Sequence, residues 1–387
     1  MSARRLRLGV AGLGRAFTLM LPTLTRHPRV EVVAAADPRP EARRLFESDF
    51  RARAHESVAA LCADPSVEAV YVATPHGHHA DHAILAAQHR KHLLVEKPMA
   101  ISLDEATRMI DAARAAAVHL VVGPSHSFDA PIARVRAIVE SGAAGRVRMI
   151  TALNYTDFLY RPRRPEELDT AKGGGVVFSQ AAHQVDIVRL IAGARAVFVR
   201  ALTGAWDAAR ATEGAYAALV GFEDGAYATL VYSGYAHFDS DEFCAGIGEL
   251  GRAKGAAHGK ARRALARAAS NEAQAKAARN YGGADFRPPA GVAPWHEHFG
   301  LVIVACERAD LRPMPNGVMV YSDDDARFDP IAPPQVPRAE VIDELADAVL
   351  LDRPPRHDGA WGRATLEACL AILESARRQA DVALRHQ

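Results

Sequence analysis

The chain has 387 residues, and at roughly 150 residues per domain that length suggests two or three domains. Lys plus Arg (47) nearly equals Asp plus Glu (46), so a net charge of +1 excludes the bulk basic field that nucleic acid or an anionic membrane would require. No apolar run approaches the roughly 18 residues of a spanning helix, and the four cysteines (Cys62, Cys244, Cys306, Cys369) form no CxxC pair, which argues against a disulfide scaffold or structural zinc and fits a reducing cytoplasm.

The opening segment, two or three basic residues followed by a short glycine-broken apolar run, reads as a first strand and not as a secretory signal. Strands are predicted at Leu6–Ala11, Val30–Ala36, Ala69–Ala73, His92–Val95 and Val118–Val122. Helical periodicity fills the intervals, as at Pro40–Phe50 and Leu103–Ala117. Near-continuous apolar strands separated by helix-length segments predict parallel βαβ units covered on both faces. From about Gly145 the texture changes. Val147–Leu153, Ala196–Thr203, Tyr216–Phe222 and Ala226–Ser233 read as longer strands with partial alternation, and Asp224-Gly225 marks a hairpin between the last two. Arg252–Arg279 is Ala-rich with eight Lys/Arg against one Glu, and reads as an exposed helix or mobile insertion, with a lid as the lesser reading. Arg338–Leu351 and Gly359–Leu384 read as terminal helices. The predicted fold class is α/β. A doubly wound parallel Rossmann sheet (1–125) precedes a second α+β domain (126–387) with a large, open-faced, mostly antiparallel sheet.

Four motifs carry chemistry. The first, Gly9–Phe17, follows a strand and opens a helix; Gly12 permits a tight turn, and Gly14 lets a pyrophosphate approach the helix N-terminus at Arg15 and Ala16. Phe17 stands where the third glycine of the fingerprint belongs. Asp37, 23 residues after Gly14, suits the ribose hydroxyls of a dinucleotide and disfavours a 2′-phosphate, so NAD is expected over NADP, although Arg39 could accept that phosphate. The second motif is Thr74-Pro75-His76-Gly77-His78-His79, with His82 beyond. Four histidines invite a metal, but no carboxylate or Cys set accompanies them, and a loop lining the cofactor at a strand's carboxyl edge is the better reading. The third is Glu96-Lys97-Pro98, with Lys97 at a strand end and the proline fixing the turn. The fourth is Gly173–Asp186, where a glycine triplet suggests close approach of backbone to a ligand and a helix from Ser179 to Gly193 carries His183 and Asp186 on one face.

Together these motifs resemble the Gfo/Idh/MocA family of oxidoreductases, and the likeness spans the chain. It implies a Rossmann domain followed by an α/β domain whose open sheet forms subunit contacts, hence a homo-oligomer (dimer or tetramer), with no nucleic-acid or membrane partner and no metal. It implies a cofactor site of Gly12, Gly14, Arg15, Ala16, Phe17, Asp37, Thr74, Pro75, His76, His79, Glu96 and Lys97. Lys97 then belongs to the catalytic site and His183 transfers the proton. One departure stands out. Family members acting on inositol or sugars carry Asp four residues before that histidine; here the position is Ser179, followed by Gln180. The runs Gly123–Asp129, Asn154–Pro165 and Tyr232–Ser240 are similar to the phthalate 4,5-cis-dihydrodiol dehydrogenase branch. That likeness implies oxidation of a carboxylated aromatic cis-dihydrodiol by NAD, with His126, Tyr155, Arg161, Arg163, Arg164, Gln180 and Asp186 at the substrate; the arginines suit carboxylates. The alternatives are a polyol or sugar dehydrogenase, and an enzyme that retains NAD tightly for hydrolysis or regulation.

Overall fold

The computed structural model describes residues 4–256, 258–268, 271–288 and 291–387. The chain divides into two compact units. One comprises the residues up to Pro124 with Ala273–Val292 and Val336–Leu366; the other comprises Ser125–Glu272, Ala293–Gln335 and Glu367–Gln387.

In the first unit, six short strands form one all-parallel sheet: β1 (Leu6–Ala11), β2 (Val30–Ala36), β3 (Arg53–His55), β4 (Ala69–Val72), β5 (His92–Val95) and β6 (Leu120–Val122), in the order β3-β2-β1-β4-β5-β6. The order reverses beside β1, which opens the crevice where doubly wound sheets bind ligands. Apart from β3, the strands are almost wholly buried because helices cover them: α1 (Arg15–Leu24), α2 (Pro40–Phe50), α3 (Val58–Ala63), α4 (His79–Gln88) and α5 (Leu103–Ala116). The sequence reading omits β3 and α3, which are too short to show a period.

The second unit is built on a nine-stranded sheet. Its strands are β7 (Val147–Tyr155), β8 (Ala196–Gly204), β9 (Ala215–Phe222), β10 (Tyr227–Ser233), β13 (Leu301–Cys306), β14 (Ala309–Met314), β15 (Gly317–Ser322), β16 (Ala326–Pro330) and β17 (Val382–Ala383). The small β11 (Ile247–Gly248) and β12 (Arg252–Ala253) pair separately. The order is β16-β15-β14-β13-β7-β10-β9-β8-β17, antiparallel throughout except for β7 beside β10. The Asp224-Gly225 hairpin forms as read, with Gly225 at φ +86°. One face packs on α6 (Ala130–Glu140) and α7 (Ala182–Ala192). Met149, Leu202, Tyr227, Ile303 and Tyr321 are exposed strand residues. The run β13–β16 escapes the sequence reading because Pro313, Gly317 and several charges interrupt its apolar alternation.

The basic segment contains α8 (Lys260–Ala268) and α9 (Glu272–Ala278); residues 257 and 269–270 of that reading lie outside the described residues. It is anchored rather than merely exposed. Arg262 lies over the Tyr160 ring at 3.9 Å and donates to the carbonyls of Tyr235 and Ala236, while Glu272 accepts from Arg210 at 2.8 Å. The next helix, α10 (Ala339–Leu351), belongs to the first unit, where Val341, Ile342 and Leu345 are buried and Arg29 pairs with Asp343 and Asp347. The last helix, α11 (Gly359–Arg378), stops short of the expected Leu384. Gln379 turns left-handed at φ +52°, Ser375 donates to the Ala380 carbonyl, and the chain leaves to add β17 beside β8. No described helix is long and apolar enough to cross a membrane.

Candidate active site

The first unit holds the glycine turn expected to face a phosphate. Gly12 adopts φ +95°, and a Cβ there would come within 2.8 Å of the Ala73 carbonyl, so the β1–α1 turn lies directly against the end of β4. Gly14 differs. It caps α1, and a Cβ built on it would meet nothing within 4 Å. The first helical bond runs from Thr18 N–H to the Gly14 carbonyl, so the N–H groups of Arg15, Ala16 and Phe17 have no acceptor within the helix and project from its positive end. Open space at this helix N-terminus, among the described residues, fits a dinucleotide pyrophosphate. Phe17 contributes backbone only. Its side chain is fully buried, edge-on to Tyr281 at 5.1 Å and beside Phe46 and Phe50. The missing third glycine is therefore a core position filled by an aromatic cluster.

Asp37, at the end of β2, is buried and already engaged. Oδ2 accepts the Leu13 N–H at 2.8 Å, and Oδ1 accepts both the N–H and Nε of Arg39 at 2.9 Å. Arg39 completes a fork with Nη2 at 3.1 Å from Oδ2, and it also donates to the carbonyls of Leu13 and Tyr281. The acid expected at the ribose thus carries its own counter-charge, and it also holds the glycine turn.

The histidine run separates by exposure. His79 is fully buried, with Nε2 2.7 Å from the Thr74 carbonyl and Nδ1 2.9 Å from the Pro98 carbonyl. Burial holds it down to about 4, so the ring is neutral and donates through one nitrogen only. It staples the β4–α4 turn to the Lys97-Pro98 turn, which makes it a support and not a lining residue. Thr74 and His76 are partly exposed, and Pro75 is exposed. The Glu96 carboxylate is likewise turned inward. It accepts the Tyr71 hydroxyl in a buried pair, and burial raises both groups. Lys97, partly exposed, follows it through a cis bond to Pro98.

The second unit holds His183. A π-helical turn, Val177–Ala181, runs into α7, a local irregularity frequent at functional sites. Two of the glycines before it pack against the chain itself. A Cβ on Gly174 would lie 2.6 Å from the Glu166 carbonyl, and one on Gly175, at φ +84°, would fall inside the Glu213 carboxylate. Glu213, which the sequence reading missed, accepts the Val177 N–H at 3.1 Å and the hydroxyls of Thr170 and Thr212. A buried carboxylate thus caps the helix that carries His183. Gln184 accepts the Tyr216 hydroxyl and donates to the Val231 carbonyl, fixing the helix to the sheet. Gln180 is buried, Ser179 is partly exposed, and Asp186 lies 3.9 Å from Arg189 on the next turn.

Around His183 stand His126, 4.6 Å between ring centres, and Phe299 at 4.8 Å; Ser125 Oγ is 3.5 Å from His183 Nδ1. His126 Nδ1 donates to Asp129 at 2.6 Å, and its Nε2 lies 3.5 Å from Glu249. Phe299 stacks on Tyr232, whose hydroxyl is 3.0 Å from Thr156 Oγ1 and feels the charges of Arg161 and Arg163. Arg163 packs over the Phe158 ring at 3.6 Å and donates to the Phe158 carbonyl, and its buried Nε has no partner. Burial pulls Arg163 down to about 10, still cationic at neutral pH. Glu249, Tyr232 and Asp157 outweigh desolvation at Arg161 and raise it. Arg164 turns elsewhere, to Glu166 at 3.0 Å and Glu167 at 3.4 Å. Tyr155 also stands apart from the His183 cluster. Strand alternation points it away from Asn154, and it lines a 420 Å³ cavity with Tyr160, Trp206, Tyr235, Phe238 and Arg262. Of the partners sequence reasoning missed, Asp129 lies in a run already quoted for its likeness, whereas Glu213, Glu249 and Phe299 carry no local signal.

Comparison with known proteins agrees with this geometry. The model of an oxidoreductase family with an NAD-binding Rossmann fold matches residues 6–124, and that of the GFO/IDH/MocA C-terminal domain matches residues 132–254. The chain belongs to the Gfo/Idh/MocA oxidoreductase family. It is 46% identical over 377 residues to the 1-carboxy-3-chloro-3,4-dihydroxycyclohexa-1,5-diene dehydrogenase of Comamonas testosteroni, covering 96% of this chain and 95% of that protein. It is similar to the crystal structure of a Bordetella bronchiseptica RB50 protein assigned as a dehydrogenase, at 44% identity and a TM-score of 0.93, covering 98% of this chain and 100% of the other. The WlbA dehydrogenase of Bordetella pertussis, solved with NADH and UDP-GlcNAcA, shares the fold at 22% identity, a TM-score of 0.69 and 99% coverage of each chain. As a Gfo/Idh/MocA protein, the chain is a dehydrogenase whose first unit is an NAD-binding Rossmann domain.

Proposed function

We propose that this dehydrogenase oxidises a carboxylated cyclic cis-diol to the corresponding catechol, with NAD preferred over NADP. One observation carries the substrate class. Arg161 and Arg163 act on the Tyr232 hydroxyl within the unit that holds His183, and Arg163 keeps a buried donor without a partner. A desolvated guanidinium with an unused N–H is complementary to a carboxylate and costs stability unless one arrives. The name of the Comamonas relative, which specifies a carboxylated dihydroxycyclohexadiene, points the same way.

In this reading the residues Gly12, Gly14, Arg15, Ala16 and Asp37 hold the dinucleotide, and the bound nicotinamide supplies the hydride acceptor. His183 removes the proton of the reacting hydroxyl as general base, and Lys97 orients that oxygen and stabilises the developing alkoxide. The carbinol C–H bond breaks as hydride departs, and the hydroxyketone formed tautomerises to the aromatic catechol. Aromatisation makes the oxidation favourable without strong product binding. Asp37 supports the NAD preference, since a buried carboxylate at the ribose disfavours a 2′-phosphate. We further propose that the protein works in the cytoplasm as a homo-oligomer joined through the exposed strand residues of its large sheet.

The test is a panel of cis-dihydrodiols with and without carboxylates, inositol and aldoses, each with NAD and NADP and scored by reduced-cofactor absorbance. Carboxylated diols with NAD should give the highest kcat/KM. Faster turnover of inositol, of aldoses or of uncharged diols would overturn the assignment.

A further inference from the structure

His126 is not placed like a simple substrate contact. It is 3% exposed and held at both ring nitrogens, by Asp129 at 2.6 Å and more loosely by Glu249 at 3.5 Å. Its ring meets that of His183 edge-on, at 4.6 Å and 68°. Phe299 flanks both, 5.0 Å from one ring and 4.8 Å from the other, so a hydrocarbon face lies beside the pair. Burial alone would strip the proton from His126, yet the two carboxylates outweigh it and hold the group up at about 10.

Resting on the reading above, we infer that His126 is a positioning residue, a permanently charged imidazolium that keeps His183 neutral and therefore ready to accept a proton. A fixed cation one ring away, in a poorly screened setting, opposes a second proton on His183. It also hastens departure of the proton that His183 takes from the substrate. The groups facing His126 are Asp129 on its own turn, Glu249 after β11, Glu297 before β13 and His183 on α7, with Arg161 and Tyr232 acting through Glu249. Their signs make the device separable. Replacing His126 removes a cation and leaves its carboxylates unbalanced, so His183 should hold its proton more tightly. Replacing Glu249 removes an anion while Asp129 keeps His126 charged, so His183 should hold its proton less tightly.

His126, Asp129 and Glu297 also bring ligand atoms within 4.8 Å of one another, a spacing that a divalent cation could use. The 2.6 Å approach of Nδ1 to the Asp129 oxygen favours a shared proton there instead.

The experiment is a histidine-ring NMR titration of the whole protein, with His183 assigned by the His183→Asn difference, in the wild type, His126→Asn and Glu249→Gln. The His183 midpoint should rise by about one pH unit in His126→Asn and fall in Glu249→Gln. The acid limb of kcat/KM on a carboxylated diol should move with it. No movement, or movement of both variants in one direction, overturns the inference, and so does a change in the wild-type His126 signal on removing metal with EDTA or adding zinc. If His126→Asn fails to fold, the sign of the Glu249→Gln shift decides. The titration needs no substrate, so opposed shifts without diol turnover would sink the function proposed above and leave this inference standing. Turnover without shifts would do the reverse.

Discussion

Two glycine turns, one in each unit, look alike in sequence and do opposite things. At Gly14 the missing side chain leaves a space that no atom of the described residues enters within 4 Å, over the N-terminus of α1. At Gly174 and Gly175 the space is filled by the chain itself, by the Glu166 and Glu167 carbonyls and the Glu213 carboxylate, and the Glu213 carboxylate caps the helix bearing His183. The first turn keeps room for a ligand; the second admits a cap. Glycine shows only that something comes close. Whether the neighbour is a ligand or the protein depends on tertiary contacts that a local motif does not encode.

The sharpest way to break this contrast is a pair of alanine substitutions. Gly175→Ala adds a Cβ to a left-handed residue and drives it into Glu213, so strain and overlap together should cost about 3–4 kcal/mol. For a chain of this size that lowers Tm by about 4–5 °C, read by calorimetry. Gly14→Ala should leave Tm within about 1 °C, because nothing is displaced, while weakening NAD binding roughly tenfold in a fluorescence titration. A destabilised Gly14→Ala, or a Gly175→Ala variant that keeps Tm and loses cofactor, would abolish the distinction.

A smaller effect sharpens the comparison inside the second unit, between arginines one residue apart. The Nε of both arginines is buried without a hydrogen bond, but Arg163 shares the Tyr232 neighbourhood with Arg161, whereas Arg164 Nε faces the carboxylates of Glu166 and Glu167 at 3.0 and 3.4 Å. Arg163→Lys keeps the charge but loses the planar fork. It should raise KM for a carboxylated diol about 30-fold, roughly 2 kcal/mol, with a smaller change for an uncharged diol. Arg164→Lys should change neither by more than about twofold, as expected of a local ion pair between near neighbours in sequence. Equal effects at the two positions would remove the carboxylate argument.

How much of this was legible beforehand follows from the range of each interaction. The parallel sheet was legible because its strands are continuous apolar runs buried on both faces, and the Asp224-Gly225 hairpin because its turn residues are local. The site motifs were legible as residue types at strand and helix ends. Their division of labour was not. Phe17 and His79 read as cofactor residues, yet their side chains are packing and stapling groups. Glu213 and Glu249 lie 30 and 66 residues beyond His183 and meet its neighbourhood only through the nine-stranded sheet and its loops. Spacing rules for helices and strands reach a few residues, so such partners carry no mark in the sequence.

The smallest effect concerns the cofactor turn itself. Asp37 supports both the glycine turn and the preference against a 2′-phosphate, but Arg39 neutralises it through a two-point fork. Arg39→Met keeps the aliphatic stem and removes the charge, leaving the Asp37 carboxylate with the N–H groups of Leu13 and residue 39. Repulsion of a 2′-phosphate then rises, and the same substitution deletes one of the two cations beside that turn able to receive it, leaving Arg43, which is already shared with Glu56. Both changes act in one direction, so the ratio of kcat/KM for NAD over NADP should increase roughly five- to tenfold, on the order of 1 kcal/mol for a partly exposed pair. Loss of the Arg39 bonds to the carbonyls of Leu13 and Tyr281 would loosen the turn for both cofactors alike and cancels in the ratio. An unchanged or reduced ratio would mean that Asp37 serves the turn alone and that discrimination at the ribose arises from other residues.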